Sequence, residues 1–269
     1  MPANEANETA RRAEGLAASV REAGALALSM FGTPLKQWTK GASSPVSEAD
    51  IAVDLLLRER LAAVDPAIGW LSEESADDPA RLTARLVWIV DPIDGTRGYI
   101  AGLPDWTISA ALVESGRPVA ACLFAPVTSE FFMAVAGQGA TCNGKTITTT
   151  AGAELAGMRI AGPKNFLERV SKIAPAFTVI PRVHSLALRL ARVAEGAIDA
   201  VIAGGNSHDW DLAAADLLVH EAGGTLTPLG GGPLTYNRAV PRHGMLVAAG
   251  HERHGALVKL LNDPRLATS

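Results

Sequence analysis

The fold is decided by residues 86–96, which read LVWIVDPIDGT. Leu86 to Val90 is an unbroken apolar run of strand length that ends at Asp91-Pro92, so we predict a buried strand. In α/β architectures, ligands gather at the carboxyl ends of such strands. A tight turn after the strand would aim the carboxylates of Asp91 and Asp94 and the carbonyl of Ile93 at bound ions. The residues alone also allow a plain turn, because Asp-Pro and Asp-Gly pairs are common in turns.

Two helices are predicted before this strand, and antiparallel strands are predicted after it. Apolar residues at helical spacing predict one helix from Glu8 to Phe31 and a second that Ser47 caps and that runs to Val64. The polar stretch Thr39–Pro45 between them is predicted to be a loop. Three apolar runs separated by turn residues are expected to pair antiparallel. They are Thr107–Val113, Pro118–Ala125 and Phe131–Val135.

After about Thr148 the pattern changes to alternating strands and helices, so we place a domain boundary near residue 147. Residues 1–147 would form an N-terminal α+β domain, and residues 148–269 a C-terminal α/β domain. Within the second domain, a helix is predicted from Trp210 to Ala222. Asp209 is a plausible N-cap for it, and Gly223-Gly224 closes it.

Composition excludes several classes of protein. Of the 269 residues, 48% are hydrophobic and 19% are charged, which predicts a packed core rather than a disordered chain. A net charge of -4 without any run of Lys or Arg gives no sign of a nucleic-acid partner. Cys122 and Cys142 are expected to be reduced. The N-terminus lacks a basic, apolar leader and no segment is long enough to cross a bilayer, so we expect no membrane partner and a cytoplasmic location.

Acidic residues recur where strands end or helices begin. Glu73 follows a short predicted strand, and Asp211 lies in the first turn of a predicted helix. Mg²⁺ prefers carboxylate oxygens, and a bound cation relieves the repulsion between crowded carboxylates. Taken alone, Glu73 is equally typical of a solvated loop, and Asp50 of a capping interaction with Ser47. Gly95 would offer its free N–H group to a phosphate if a helix begins there.

Three motifs in this order resemble the inositol monophosphatase family, the lithium-sensitive magnesium phosphatases. They are LSEES at residues 71–75, WIVDPIDGT at 88–96, and WDLAAA with EAGG at 210–215 and 221–224. The resemblance implies a mixed α/β fold, the layered αβαβα sandwich of the inositol monophosphatase and fructose-1,6-bisphosphatase type. It also implies two or three Mg²⁺ ions, sensitivity to lithium, a small phosphorylated substrate and a homodimer.

Roles for individual residues follow from the same resemblance. Thr96 with Asp50 would activate the attacking water, and the N–H groups of Gly95 and Thr96 would bind the phosphate. Ser185 and Asp211 would lie near the substrate. The implied mechanism is in-line attack by a metal-bound water without a phosphoenzyme. Five residues would ligate metal: Glu73, Asp91, Ile93 through its carbonyl, Asp94 and Asp211.

The alcohol half of the substrate is left open by three departures from the usual family pattern. Arg97-Gly98-Tyr99 follows the DGT motif, His184 precedes Ser185 in place of Gly, and Gly204-Gly205 stands where an acidic residue can bind hydroxyls. We predict a magnesium-dependent phosphomonoesterase acting on an inositol or sugar phosphate. A histidinol-phosphate phosphatase and a 3′(2′),5′-bisphosphate nucleotidase are the alternatives. A non-catalytic regulatory relative should have lost a metal ligand, and none that we identify is lost. Arg97 would contact the substrate or form a salt bridge within its loop.

Overall fold

A computed structural model describes residues 3–40 and 44–266. The helices are α1 (Ala3–Met30), α2 (Glu48–Val64), α3 (Thr96–Ile100), α4 (Lys164–Val170), α5 (Leu186–Ala194), α6 (Asp209–Glu221) and α7 (His251–Leu261). The strands of the first half are β1 (Gln37–Lys40), β2 (Ser44–Ser47), β3 (Gly69–Ser72), β4 (Leu86–Asp94), β5 (Thr107–Glu114), β6 (Arg117–Ala125), β7 (Glu130–Val135), β8 (Ala140–Cys142) and β9 (Lys145–Ile147). Those of the second half are β10 (Arg159–Ala161), β11 (Thr178–Val179), β12 (Ala200–Ala203), β13 (Ser207–His208), β14 (Gly224–Pro228), β15 (Arg242–His243) and β16 (Leu246–Gly250).

Two large sheets separate three layers of helices. The seven-stranded sheet has the order β3-β4-β5-β6-β7-β8-β9, and the five-stranded sheet has the order β11-β10-β12-β16-β14. Helices α1 and α2 cover the outer face of the larger sheet, α5 and α6 pack between the sheets, and α4 and α7 cover the smaller sheet. This arrangement confirms the predicted αβαβα sandwich.

Strand β4 shows why its apolar run is unbroken. Val87 and Ile89 point into the core between the two sheets. Trp88 and Val90 point the other way, into the core beneath α1 and α2. Since successive side chains of a strand alternate between faces, a strand covered on both sides needs an apolar residue at every position.

The predicted tight turn between Asp91 and Asp94 is wrong. Strand β4 continues to Asp94, and its register against β5 shifts between Asp91 and Asp94, which marks an irregularity of the bulge type. Pro92 has no N–H group for the ladder, and proline is tolerated in sheets at such interruptions. The interruption leaves both carboxylates buried at the end of the strand.

Most other predicted elements are confirmed, with shifted ends. Helix α2 begins after its N-cap Ser47, and α1 begins at Ala3 rather than Glu8. The three runs after β4 pair antiparallel as predicted, as β5, β6 and β7. Cys122 and Cys142 are free thiols.

Two local predictions are wrong. The stretch predicted as a loop, Thr39–Pro45, is part of the antiparallel hairpin β1–β2, with residues 41–43 outside the described chain. All four residues of β1 are exposed, so this strand has no apolar alternation to detect. The N-cap of α6 is His208, and Asp209 is its first helical residue. Asp209 instead accepts hydrogen bonds from the Asn237 N–H and the His243 ring.

The larger sheet ends at Ile147 and the smaller one begins at Arg159. The domain boundary near residue 147 falls in this interval and stays a prediction. In the described part of the chain, no helix is long and apolar enough to cross a membrane.

Candidate active site

A polar cavity of about 250 Å³ lies at the edge of the larger sheet where β3 and β4 end. The two strands are parallel, with Ser72 opposite Val90, so the residues that follow them emerge side by side. Eight residues singled out from the sequence line this cavity: Glu73, Asp91, Ile93, Asp94, Gly95, Thr96, Arg97 and Asp211. The sequence motifs therefore converge on one site.

Three carboxylates form the centre of the cavity. Glu73, Asp91 and Asp211 each offer an oxygen atom, and these atoms lie within 4.8 Å of one another. Asp91 Oδ1 accepts a hydrogen bond from the Ile93 N–H at 3.1 Å. Asp91 Oδ2 is buried and has no hydrogen-bond partner among the described residues. A buried carboxylate oxygen without a partner, beside two further carboxylates, fits a divalent cation with oxygen ligands.

The electrostatics of the three carboxylates agree with that fit. Burial, followed by the neighbouring charge of Glu74, raises the pKa of Glu73 to about 7. Burial also raises the pKa values of Asp91 and Asp211 well above the ordinary value, followed by repulsion from the other carboxylates. Such groups hold their protons to higher pH than exposed carboxylic acids do, unless a cation compensates their charge.

Asp94 lines the same cavity and accepts hydrogen bonds from the N-terminal end of helix α5. Its Oδ2 accepts hydrogen bonds of 2.6 Å from both Ser185 Oγ and the Ala187 N–H. Burial raises the pKa of Asp94, and these hydrogen bonds act in the opposite direction. Ser185 is fully buried, and its Oγ also accepts from the Leu188 N–H as the N-cap of α5. In this structure Ser185 positions Asp94 and is not among the residues that line the cavity.

Asp50 combines the two interpretations that the sequence left open. Its Oδ2 accepts from the Ser47 N–H at 2.8 Å and from Ser47 Oγ at 2.6 Å, which is the capping interaction. Its Oδ1 lies 3.0 Å from Thr96 Oγ1, which is the predicted catalytic pair. The Thr96 hydroxyl is also 3.0 Å from the Ile93 carbonyl and can donate its one proton to either oxygen. Burial raises the pKa of Asp50, so this carboxylate accepts a proton more readily than an exposed aspartate does.

Asp211 reaches the cavity from the second half of the chain. It lies in the first turn of α6, and its Oδ2 accepts a 2.7 Å hydrogen bond from the His208 N–H. His208 stacks on Trp210 with ring centroids 4.6 Å apart, which holds the start of the helix.

Other charged groups lie around these carboxylates, and no site role was predicted for any of them from the sequence. Lys40 donates to the Glu73 carbonyl and lies 3.4 Å from Glu74. Arg182 and His184 also line the cavity. His184 Nδ1 lies 2.8 Å from Asp105 Oδ2. The departure at His184 was visible in the sequence, but Asp105 carried no local signal, since it lies 79 positions away.

The comparisons with known proteins decide the family. A sequence model described as the inositol monophosphatase family matches residues 8–264. The chain belongs to the inositol monophosphatase family. Membership confirms the resemblance and supports a phosphatase, with an acidic cluster able to bind metal at its centre.

Relatives within the family carry different descriptions. The inositol-1-monophosphatase of Rhizobium meliloti (strain 1021) is 35% identical over 205 residues, 72% of this chain and 75% of that protein. A Streptomyces griseus protein described as a glucose-1-phosphate thymidylyltransferase is 37% identical over 216 residues, 77% of this chain and 82% of its own. The crystal structure of the extragenic suppressor protein suhB from Bartonella henselae superimposes with a TM-score of 0.83 at 28% identity, covering 93% of this chain and 98% of that one.

Proposed function

We propose that this family member is a magnesium-dependent phosphomonoesterase that hydrolyses a small phosphate ester with water. The observation that carries the proposal is the cluster of Glu73, Asp91 and Asp211, whose oxygens lie within 4.8 Å of one another. Beside it, in the same cavity, Thr96 lies 3.0 Å from the buried carboxylate of Asp50. A cation site next to a proton-accepting pair is the arrangement that hydrolysis of a phosphate ester needs.

The first group of residues would bind the metal ion. Glu73, Asp91 and Asp211 would hold Mg²⁺, with Asp94 and the Ile93 carbonyl as the further ligands implied by the family. Magnesium, when bound, lowers the pKa of the attacking water and neutralises charge on the phosphate.

The remaining residues act on the water and the ester. Thr96 orients the water and passes its proton to Asp50, whose pKa is raised by burial. The N–H groups of Gly95 and Thr96 bind the phosphate, and the guanidinium of Arg97 stands at the exposed rim.

An inositol or sugar phosphate is the substrate class we favour. The Rhizobium meliloti relative is described as an inositol-1-monophosphatase, which supports this class. Arg97 and the lack of an acidic residue at Gly204-Gly205 leave the alcohol half of the substrate open, so histidinol phosphate and 3′(2′),5′-bisphosphate nucleotides stay as alternatives. A purely regulatory role is less favoured, because the three clustered carboxylates are all retained. The homodimer and the cytoplasmic location stay predictions.

The test is phosphate release from inositol 1-phosphate, histidinol phosphate and 3′-phosphoadenosine 5′-phosphate, each with Mg²⁺ and with EDTA. We expect turnover of at least one ester, abolished by EDTA and restored by Mg²⁺. Asp91→Asn should abolish it as well. Absence of turnover with every ester at saturating Mg²⁺ would refute the proposal and favour the regulatory alternative.

Lithium inhibition is part of the same proposal. By the family resemblance, lithium would occupy the cation position held by Asp94 and Asp211 and retain phosphate after cleavage. Inhibition should then be uncompetitive with the ester and weaker in Asp211→Asn, provided that this variant retains measurable turnover. Competitive inhibition by lithium would contradict this assignment.

A further inference from the structure

His184 and Asp105 form a carboxylate–imidazole pair at the wall of the cavity. Asp105 Oδ2 lies 2.8 Å from His184 Nδ1 and also accepts a 2.6 Å hydrogen bond from the His184 backbone N–H. Both side chains are about one-fifth exposed. A carboxylate on Nδ1 makes that nitrogen the donor, so Nε2 is the ring atom left to meet a ligand. Among the described residues, Nε2 has no hydrogen-bond partner.

The backbone holds this pair in place. The Ser185 N–H donates to the Asp105 carbonyl at 3.1 Å, which joins the two loops beside the ring. Both side chains pack against Gly98 of α3, where a Cβ would lie 3.1 Å from both Asp105 Oδ1 and His184 Cβ. Asp105 Oδ1 itself is buried without a hydrogen-bond partner in the described chain. The imidazole is therefore oriented by its surroundings rather than swinging freely on the surface.

The side chains that line the cavity differ in their ability to donate a proton. The carboxylates are committed to the cation and to the water, as proposed above. Arg97 and Arg182 also line it, but a guanidinium stays protonated and does not release its proton. Among the described lining residues, His184 is the one imidazole, and imidazole exchanges a proton at neutral pH.

We propose that His184, oriented by Asp105, is the catalytic acid that protonates the leaving alcohol; the inference rests on the proposed phosphatase function. As the water oxygen bonds to phosphorus and gives its proton to Asp50 through Thr96, the bond between phosphorus and the ester oxygen breaks. The proton on His184 Nε2 passes to that oxygen, and the alcohol leaves neutral. Asp50 then releases its proton to solvent and the imidazole ring regains one at Nε2, so both groups return to their starting forms, while Asp105 keeps the Nδ1–H in place.

The role is tested by varying the leaving group. An alkyl alkoxide needs a proton as it leaves, whereas p-nitrophenolate is a stable anion that departs without one. We therefore compare kcat/KM for p-nitrophenyl phosphate with that for the alkyl ester hydrolysed fastest in the screen above. His184→Gln should lose about 100-fold or more on the alkyl ester and less than about 3-fold on the aryl ester. His220→Gln, an exposed histidine on α6 outside the cavity, is the matched control.

Two further measurements separate catalysis from structure. Added imidazole should restore the alkyl-ester rate of His184→Gly, which a purely structural role would not allow. Asp105→Asn should show the same selective loss without a change in melting temperature, because Asp105 acts through the ring. Equal losses on both esters, or an undiminished alkyl-ester rate in His184→Gln, would overturn the inference. A parent protein inactive on every ester would instead overturn the proposed function itself.

Discussion

Asp94 is a buried carboxylate that lines the cavity and is hydrogen-bonded at the start of helix α5. Its carboxylate accepts from Ser185 Oγ and the Ala187 N–H, and the carbonyl oxygen of an asparagine could accept both bonds. Asp94→Asn should therefore fold but lose at least about 100-fold in turnover, because it removes a ligand charge from the cavity. Phosphate release at saturating Mg²⁺ and a thermal melt measure the two effects.

The control for that substitution is Asp263→Asn. It breaks the ion pair with Arg265, and neither of these residues lines the cavity. Its turnover should match that of the parent. Comparable rates in Asp94→Asn and the parent would remove Asp94 from the cation site.

Arg97 is exposed at the rim of the cavity, directly after Thr96. If its guanidinium binds an anionic group of the alcohol, Arg97→Ala should change the ranking of the three screened esters, since they differ in that half. Arg97→Lys should restore the charge but not the two-pronged contact. Rate constants for each ester in the parent and both variants measure this. A uniform loss on all three, together with a lower melting temperature, would indicate a structural salt bridge instead.

Helix α6 carries acidic residues with separate structural roles along its length. Asp211 in its first turn faces the cavity, and Asp216 in its middle accepts a 2.9 Å hydrogen bond from the Tyr236 hydroxyl. Glu221 at its end accepts from the N–H groups of Gly137 and Gly139, both at 2.8 Å. The helix therefore joins the site to the turn between β7 and β8 of the larger sheet.

Asp216 makes the stability of the folded protein depend on pH. Burial raises its pKa from 3.8 to about 6, so the fold favours the protonated form. Protonated Asp216 stabilises the folded state fully below its unfolded-state pKa of 3.8, and this stabilisation is lost as the pH rises through about 6. The loss lowers the free energy of unfolding by roughly 3 kcal/mol. Asp216→Asn should thus be more stable than the parent at pH 8 and equal to it near pH 4. Urea unfolding at both pH values measures the difference, and an identical difference at each would contradict it.

The cation site joins the two halves of the protein, because Glu73 follows β3 and Asp91 lies in β4, whereas Asp211 lies in α6. Without a cation, the protonated form of Glu73 stabilises the fold, and this stabilisation is lost as the pH rises from 4.5 through the folded pKa of about 7. Mg²⁺ binds the ionised form, so it should raise the melting temperature more at pH 8 than at pH 6. At 100 times its Kd, a ligand adds about 2.7 kcal/mol.

Thermal melts with EDTA and with Mg²⁺ at the two pH values measure this coupling. Asp211→Asn removes one of the three clustered carboxylates and should lose most of the Mg²⁺-induced shift. An equal shift in this variant, or one that does not depend on pH, would contradict a cation held by the cluster.

Local patterns were enough to predict the elements that carry the site. The apolar run Leu86–Val90 predicts a buried strand because both of its faces are covered, and Ser47 with Asp50 predicts the start of α2 because a capping interaction is local. The family resemblance of the motifs added the αβαβα order. Hairpin β1–β2 escaped prediction because an exposed strand has no apolar periodicity.

The geometry of the site came only from the packing of distant segments. Ser185 lies beneath Asp94 across 91 positions of sequence, and His184 meets Asp105 across 79. Local sequence preferences do not predict such long-range contacts, because the contacts depend on how α5 and α6 pack between the two sheets. Residue types and motifs therefore predicted which chemistry this chain carries, whereas the layered packing determined that Ser185 supports a carboxylate and that an imidazole stands at the cavity wall.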